Sequence, residues 1–422
     1  MVVCSPRLEE TVEVKEAVAP MEVVKTFPYI SLKPLLYVMQ AFGLFHSRHF
    51  GPRGIFWQVY SACSCIIVFS SLARSFCIID VEHVGFNNVF FQHMVVIIWL
   101  VWCFGSGFAM YRIWAVYEKG PAFLLELHTV VDCCQLKHHC YKHNLRRRAV
   151  IVTGLSLFWI AMNTITTIYF LETTIALGLG FILSPKWVYD AMPQWGKYVS
   201  LVVASFTQLV NSAFWCLPPA FNHCLCYAMM MELKSFNKAF DDAVKEDATL
   251  GGLLARFRKR HQRVAKLVES ADSFLGIHIS VTLGCSMILL IFLVYNSLWD
   301  NRITSSPQLI ITQFMWIFTT GAFAGVILHS GASVNKAAHE SLSRLHDIEI
   351  EDTQGNKDNA ELSLFINKLS GPPIGLTALG LFVINKPSVL TTLGMFLTYF
   401  IIVVQFRLPS EPAAYGNSTI SP

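Results

Sequence analysis

The residues of this chain best suited to chemistry lie near its C-terminal end. Thr391, Thr398 and Gln405 are seven apart in an uncharged apolar run, Ser388–Phe406. In a helix that spacing places them along one face. Ser388 extends the stripe, and Met395 and Ile402 fill the turns between its members. Tyr399 and Phe406, also seven apart, make the neighbouring stripe. A mildly polar stripe on an apolar helix has two uses. It hydrogen-bonds to other helices, or it lines a water-filled path whose apolar members gate by dewetting.

A second group of chemical residues points elsewhere. Cys133, Cys134, His138, His139, Cys140 and His143 cluster, with His223, Cys224 and Cys226 as a weaker echo. The ligand types suit zinc, but the spacing fits no pair-plus-pair pattern. Buried or lipid-modified thiols are the default reading, and no metal or cofactor is expected. No Gly-x-Ser-x-Gly, His-Glu-x-x-His or Walker-type phosphate loop occurs, which argues against an enzyme. Intramembrane carboxylates are nearly absent and no repeated halves are visible, which argues against a proton-coupled transporter.

The elements that position these residues follow from composition. Of 422 residues, 54% are hydrophobic and only 14% charged, with a mean hydropathy of +0.49. A soluble domain carries roughly 25% charged residues. The expected fold is all-α, a polytopic membrane protein with long cytosolic helical extensions. Seven blocks reach the about 20 residues a helix needs to cross a bilayer: Ile55–Ile79, Val89–Val116, Ala149–Leu171, Val199–Met230, Phe274–Trp299, Leu309–Ser330 and Ser388–Phe406. Arg74 interrupts the first, and Pro218 and Pro219 are expected to kink or break the fourth. The fourth block exceeds one crossing, so its tail should continue as a helix in the cytosol. Leu32–Phe45 is too short to cross, and either lies at the interface or tucks against the bundle.

Basic residues give the orientation. The tail, the 112–148 connection and the 224–271 and 331–387 loops hold 27 of the 32 Lys and Arg. The opposite set holds Lys186, Lys197, Arg302 and Arg407. The N-terminus is therefore expected inside and the C-terminus outside, with a sequon at Asn417-Ser418-Thr419 on the outer tail. That orientation argues against a G-protein-coupled receptor. The modest net charge of +4, without a polybasic tail, argues against nucleic acid. Leu253–Ala271 reads as a helical extension of the fifth span, with Arg256, Arg258, Lys259, Arg260, Arg263 and Lys266 on a solvated face. The acidic stretch 340–361 reads as an exposed loop with a flexible middle at Gln354-Gly355-Asn356. The outer loop 172–198, with Trp187, Tyr189, Trp195 and Tyr198, either caps a cleft or anchors at the headgroups.

The run Thr398-Tyr399-Phe400-Ile401-Ile402-Val403-Val404-Gln405-Phe406 resembles the C-terminal signature of insect gustatory receptors: Thr-Tyr, five hydrophobic residues, then Gln-Phe. Gly380, Phe382 and Leu390-Thr391 resemble the family's approach to that helix. The resemblance covers the whole chain in layout, and in residues about the last thirty. It implies a gustatory receptor in the plasma membrane, acting as a ligand-gated non-selective cation channel opened by a small tastant. It also implies a homotetramer, or a hetero-oligomer with related receptors, around one pore. On that likeness Gln405 and Phe406 match the extracellular gate, and Thr391, Met395, Thr398 and Ile402 face the conduit below. Leu369–Phe382 would be an anchor helix beginning near Pro372-Pro373. The chain then divides into a tail (1–30), a six-helix ligand-binding bundle (31–330), a loop and anchor (331–387), a pore helix (388–406) and an outer tail (407–422). The alternative is a seven-helix chemoreceptor that signals through a partner and conducts nothing itself.

A pocket would lie in the outer halves of spans two to six. Its candidates are Gln92, His93, Trp99, Asn163, Thr167, Tyr169, Gln208, Asn211, Trp215, Tyr295, Gln313 and Trp316. Aromatic walls with few polar groups suit a small tastant. Each residue alone also suits helix packing. The ligand stays open among sugar, bitter compound, carbon dioxide and an internal signal.

Overall fold

The computed structural model describes residues 26–46, 52–77, 88–116, 119–132, 138–169, 192–246, 253–300, 303, 306–345 and 355–405. Each of the seven apolar blocks folds as a helix, because only a helix or a closed barrel satisfies every backbone group in hydrocarbon. In chain order the helices are α1 (Phe27–Ala41), α2 (Pro52–Cys77), α3 (Asn88–Tyr111, prolonged by a π-turn at Arg112–Val116) and α4 (Lys119–Asp132). Then come α5 (His138–Tyr169), α6 (Gln194–Glu246), α7 (Leu254–Trp299), α8 (Pro307–His339), the single turn α9 (Leu342–Leu345), α10 (Gly355–Ser370) and α11 (Lys386–Gln405). Seven of them, α2, α3, α5, α6, α7, α8 and α11, are long and apolar enough to cross a membrane, and the protein is a multi-pass membrane protein. Among the described residues the β structure is one isolated bridge, Thr377 to Val383.

α6 touches the most neighbours, α1, α2, α3, α5, α7 and α8, and α3 packs against α2, α6 and α7. Close approach there depends on missing side chains. A Cβ on Gly107 would lie 2.1 Å from the Phe214 ring, and one on Gly105 2.8 Å from Val281. The short Leu32–Phe45 stretch is settled in favour of the bundle. α1 packs on α4, α5 and α6, and Leu32, Leu35, Leu36 and Met39 are fully buried. Tyr60 and Ser61 of α2 donate to the carbonyls of Ala41 and Gly43 at its end.

α6 does not break at its two prolines. It runs unbroken for 53 residues through buried Pro218 and Pro219. Both prolines are buried inside the bundle, the setting in which a membrane helix tolerates proline. α7 is likewise continuous for 46 residues, so the extension expected from Leu253 is real.

Where α6 and α7 extend past the apolar blocks they build a second core. Phe236, Phe240, Leu254, Leu345, Leu362, Phe365 and Leu369 pack together, with Phe257 against them. The basic face of α7 is not uniformly solvated. Arg258 forks onto Glu361 at 2.5 and 3.3 Å, and Arg260 meets buried Glu232 at 2.9 Å. The acidic stretch is correspondingly not all loop. Gly355 and Asn356 open α10, and its Glu361 faces α7 because Arg258 pairs with it.

The expected anchor helix at Leu369–Phe382 is corrected. Helix α10 lies earlier and stops at Ser370, and residues 371–385 are non-helical. Pro372 and Pro373 lack N–H donors and push the residues before them out of the helical region. Leu379 and Gly380 then take positive φ, 51° and 74°. α11 restarts on a reciprocal cap: Ser388 N–H donates to Asn385 Oδ1, and Asn385 N–H donates to Ser388 Oγ, both at 2.8 Å.

The α3 packing predicts opposite effects for two glycines. Gly107→Ala should overpack against Phe214 and cost about 1–3 kcal/mol. Gly154→Ala, whose Cβ meets nothing within 4 Å, should be neutral or stabilising by up to about 1 kcal/mol through helix propensity. Thermal melting of the detergent-solubilised protein checks both.

Candidate functional site

Two features are built by these helices, an aromatic cleft and an uncovered polar stripe. In the first, Trp99 and Trp102, one turn apart on α3, meet Trp215 of α6 and Trp316 and Phe323 of α8. Trp215 sits at the centre, with ring centroids 6.1 Å from Trp99, 5.8 Å from Trp102, 6.0 Å from Trp316 and 5.3 Å from Phe323. Edge-on and tilted geometries dominate, as ring quadrupoles favour.

Beside this cluster opens a narrow cleft with a cavity volume of about 10 Å³, room for about one water, lined by Trp159, Asn163 and Thr166 of α5, Trp215 of α6, and Met315, Trp316 and Thr319 of α8. The polar groups are few and held. Asn163 Nδ2 donates to Ser212 Oγ at 2.8 Å, and Ser212 donates to the Gln208 carbonyl at 2.8 Å. The buried Trp215 Nε1–H has no protein acceptor. Among the described residues no Lys, Arg, Asp or Glu lines the cleft, and its wall is mainly aromatic and apolar.

Of the residues picked from sequence, Asn163, Trp215 and Trp316 converge on this cleft, and Trp99 backs it. Gln208 lies one turn below Ser212 and supports it through its carbonyl. Asn211 is buried beside them on α6. Other candidates have different work. Gln92 donates to Asp300, Gln313 Nε2 donates to the Leu293 carbonyl at 2.7 Å, and Tyr295 stacks on Trp299 and Phe91, at 5.0 and 4.3 Å. These three tie helices together and do not line the cleft. His93 is half-buried on α3. The side chains of Thr167 and Tyr169, and loop residues 172–191, lie outside the described residues. Sequence reasoning missed Trp159, Thr166, Met315 and Thr319. The signal was present, since each lies one helical turn from a candidate or beside one: Asn163 or Trp316.

The second feature is α11. It packs mainly on α7 and α8 through Val389, Thr392, Phe396, Phe400 and Val403, and only Thr392 is buried. Only 6% of its apolar window is buried inside the chain, against 61% for α3. Thr391, Met395, Thr398, Ile402 and Gln405 all face away from the chain's own bundle. Thr391 and Thr398 donate back to the carbonyls of Pro387 and Gly394, at 3.1 and 2.9 Å. Among the described residues the stripe therefore makes no hydrogen bond to another helix of the chain. Phe406 lies outside the described residues.

The Cys and His clusters divide. Cys133 and Cys134, and the side chains of His138, His139 and Cys140, lie outside the described residues. His223 Nδ1 is 2.8 Å from Ser330 Oγ, and Cys224 and Cys226 are buried. Among the described residues no three metal-type side chains gather around one point.

Comparison with known proteins follows this geometry. A family model described as 7tm chemosensory receptor matches residues 32–409. The fold is similar to a solved insect olfactory receptor, OR5 from Machilis hrabei, with a TM-score of 0.64 at 15% identity, covering 89% of this chain and 98% of that one. The same receptor in complex with eugenol matches with a TM-score of 0.55 over the same shares, again at 15% identity. At that identity the likeness is one of fold. No curated protein matches the chain.

The ring cluster predicts a graded response at its centre. Trp215→Ala should cost about 3–5 kcal/mol, because it removes an indole packed on rings of α3 and α8. Trp215→Phe keeps one six-membered ring and loses the pyrrole part of the indole with its unpartnered N–H, so it should cost less, about 1–3 kcal/mol. Chemical or thermal unfolding distinguishes the two.

Proposed function

The chain belongs to the 7tm chemosensory receptor family, and we propose that it is a gustatory-type receptor of the plasma membrane. In this reading it is a ligand-gated, non-selective cation channel opened by a small tastant, with its N-terminus in the cytosol. The observation that carries the reading is α11. Its leucines and isoleucines are content in lipid, but a hydrocarbon environment offers nothing to the Gln405 amide. Water or another subunit must meet the Thr391–Thr398–Gln405 face. One such helix per chain makes a closed pore only when several copies surround an axis, and a homotetramer, or a mixed tetramer with related receptors, supplies that arrangement. Ile402 and Met395 then narrow the path, and Phe406 with Gln405 forms the gate.

The ligand enters the cleft between α5, α6 and α8. Its aromatic walls and lack of charge support a compact, neutral tastant over a carboxylate or an amine. The eugenol complex of the olfactory receptor supports a small organic ligand in the same fold. Opening requires the ligand to bind the open state more tightly than the closed one, because equal affinity shifts nothing.

The test is heterologous expression with a tastant panel and G-protein signalling blocked. Inward cation current under that block is the expected result, and loss of every response would assign signalling to a partner protein. Phe406→Ala should raise the resting leak about tenfold, equivalent to about 1.4 kcal/mol removed from the closed state. Gln405→Ala should change gating. Unchanged currents in both variants at normal surface expression would remove these residues from the gate.

A further inference from the structure

The non-helical segment 371–385 joins α10 to α11. It buries Ile374, Leu376, Ala378 and Ile384 in the main core, and hydrogen bonds fix its backbone at defined points. Thr377 donates its N–H and its hydroxyl to the Asp272 carboxylate of α7, at 2.6 and 2.8 Å. From α8, Asn335 Nδ2 donates to the Ile374 carbonyl at 3.0 Å, and a Cβ on Gly331 would lie 2.9 Å from Ile384. The remaining point is His339, the last residue of α8, which uses both ring nitrogens. Nδ1 lies 3.0 Å from the Leu369 carbonyl, and Nε2 lies 3.0 Å from the Ile374 N–H.

These partners dictate the protonation state. A carbonyl can only accept, so Nδ1 carries the hydrogen. A backbone N–H can only donate, so Nε2 must present its lone pair. The arrangement exists only for the neutral ring. A proton on Nε2 would set two donors against each other and break the bond to Ile374. His339 is half-buried and reachable by solvent, and histidine is the side chain whose charge changes between about pH 5 and 8. The titratable and charged groups around it are His261 of α7, on which His339 and Lys368 of α10 both act, Glu269 of α7, 4.0 Å from Lys368, and Lys336 and Glu340 on its own chain segment.

We propose that His339 is a proton-operated latch. Neutral, it pins the segment leading into α11 onto the end of α8, the helix that also lines the aromatic cleft through Met315, Trp316 and Thr319. Protonated, it releases Ile374 and loosens the link between cleft and last helix. Only the consequence for the pore rests on the channel reading. The latch itself is testable without current.

The measurement is hydrogen–deuterium exchange on the purified full chain in detergent, following the peptide that contains Ile374 between pH 7.5 and 5.5, corrected for intrinsic exchange. The expected result is a roughly tenfold loss of protection at that amide on acidification, with peptides of the α7 core unchanged. His339→Gln offers a donor and an acceptor that do not titrate, and should abolish the pH step. Asn335→Ala removes a neighbouring bond without a titrating group, and should keep it. No pH step in the native chain overturns the latch, an outcome that needs no variant to fold. Persistence of the step in His339→Gln, or its loss in Asn335→Ala, assigns the proton to another group and overturns it equally.

Discussion

Hydrocarbon solvates a leucine and cannot solvate an amide, and the arrangement of this molecule depends on that asymmetry. Inside the bundle several polar groups are matched across elements: Gln92 with Asp300, Asn163 with Ser212, Trp102 with Thr282, Gln313 with the Leu293 carbonyl. Each bond crosses between elements distant in sequence, so each also selects one way of stacking the helices. Apolar surface is treated differently. Much of it is left outside on α2, α5 and α8, where lipid covers it without cost. α11 breaks the pattern, since its polar stripe stays outside too. That exposed stripe is the observation on which the proposed assembly around a pore rests.

Long helices carry the connection between cleft and last helix. α8 lines the cleft with Met315, Trp316 and Thr319, and some five turns later holds the 371–385 segment with Gly331, Asn335 and His339. α7 contributes Asp272 to the same segment. A helix is stiff along its axis, so a displacement of Trp316 has a continuous route to the start of α11. The route ends where Ile374, Leu376, Ala378 and Ile384 enter the main apolar core, with hydrogen bonds from Asp272, Asn335 and His339 fixing the backbone of the same segment.

Much of this was legible in the residues. The apolar blocks became the membrane-crossing helices with shifts of a few residues at most intramembrane ends, because length and charge exclusion are properties of the solvent the helix must face. The extensions of α6 and α7 were legible for the same reason, through helical periodicity running beyond the apolar blocks. The cleft was half legible. Tryptophan and asparagine on a membrane helix announce burial, but not which neighbour they meet. Asn163, Trp215 and Trp316 converge, while Tyr295, Gln313 and Gln92, of similar character, bind helices together elsewhere. The anchor helix was misplaced because the family likeness set it across Gly371-Pro372-Pro373, and those prolines remove the donors a helix would need.

The sequence by itself determined the membrane class, the number of crossing helices, the stripe on α11 and the family signature at its end. All of these depend on local period and composition, which act within one helix. Only the tertiary structure decided that α1 tucks under the bundle, that Arg258 and Arg260 are paired, that the cleft opens between α5, α6 and α8, and that His339 must be neutral. These depend on which residue lies opposite which across tens to hundreds of positions. Only the fold brings the Leu369 carbonyl and the Ile374 N–H to the two sides of one imidazole ring.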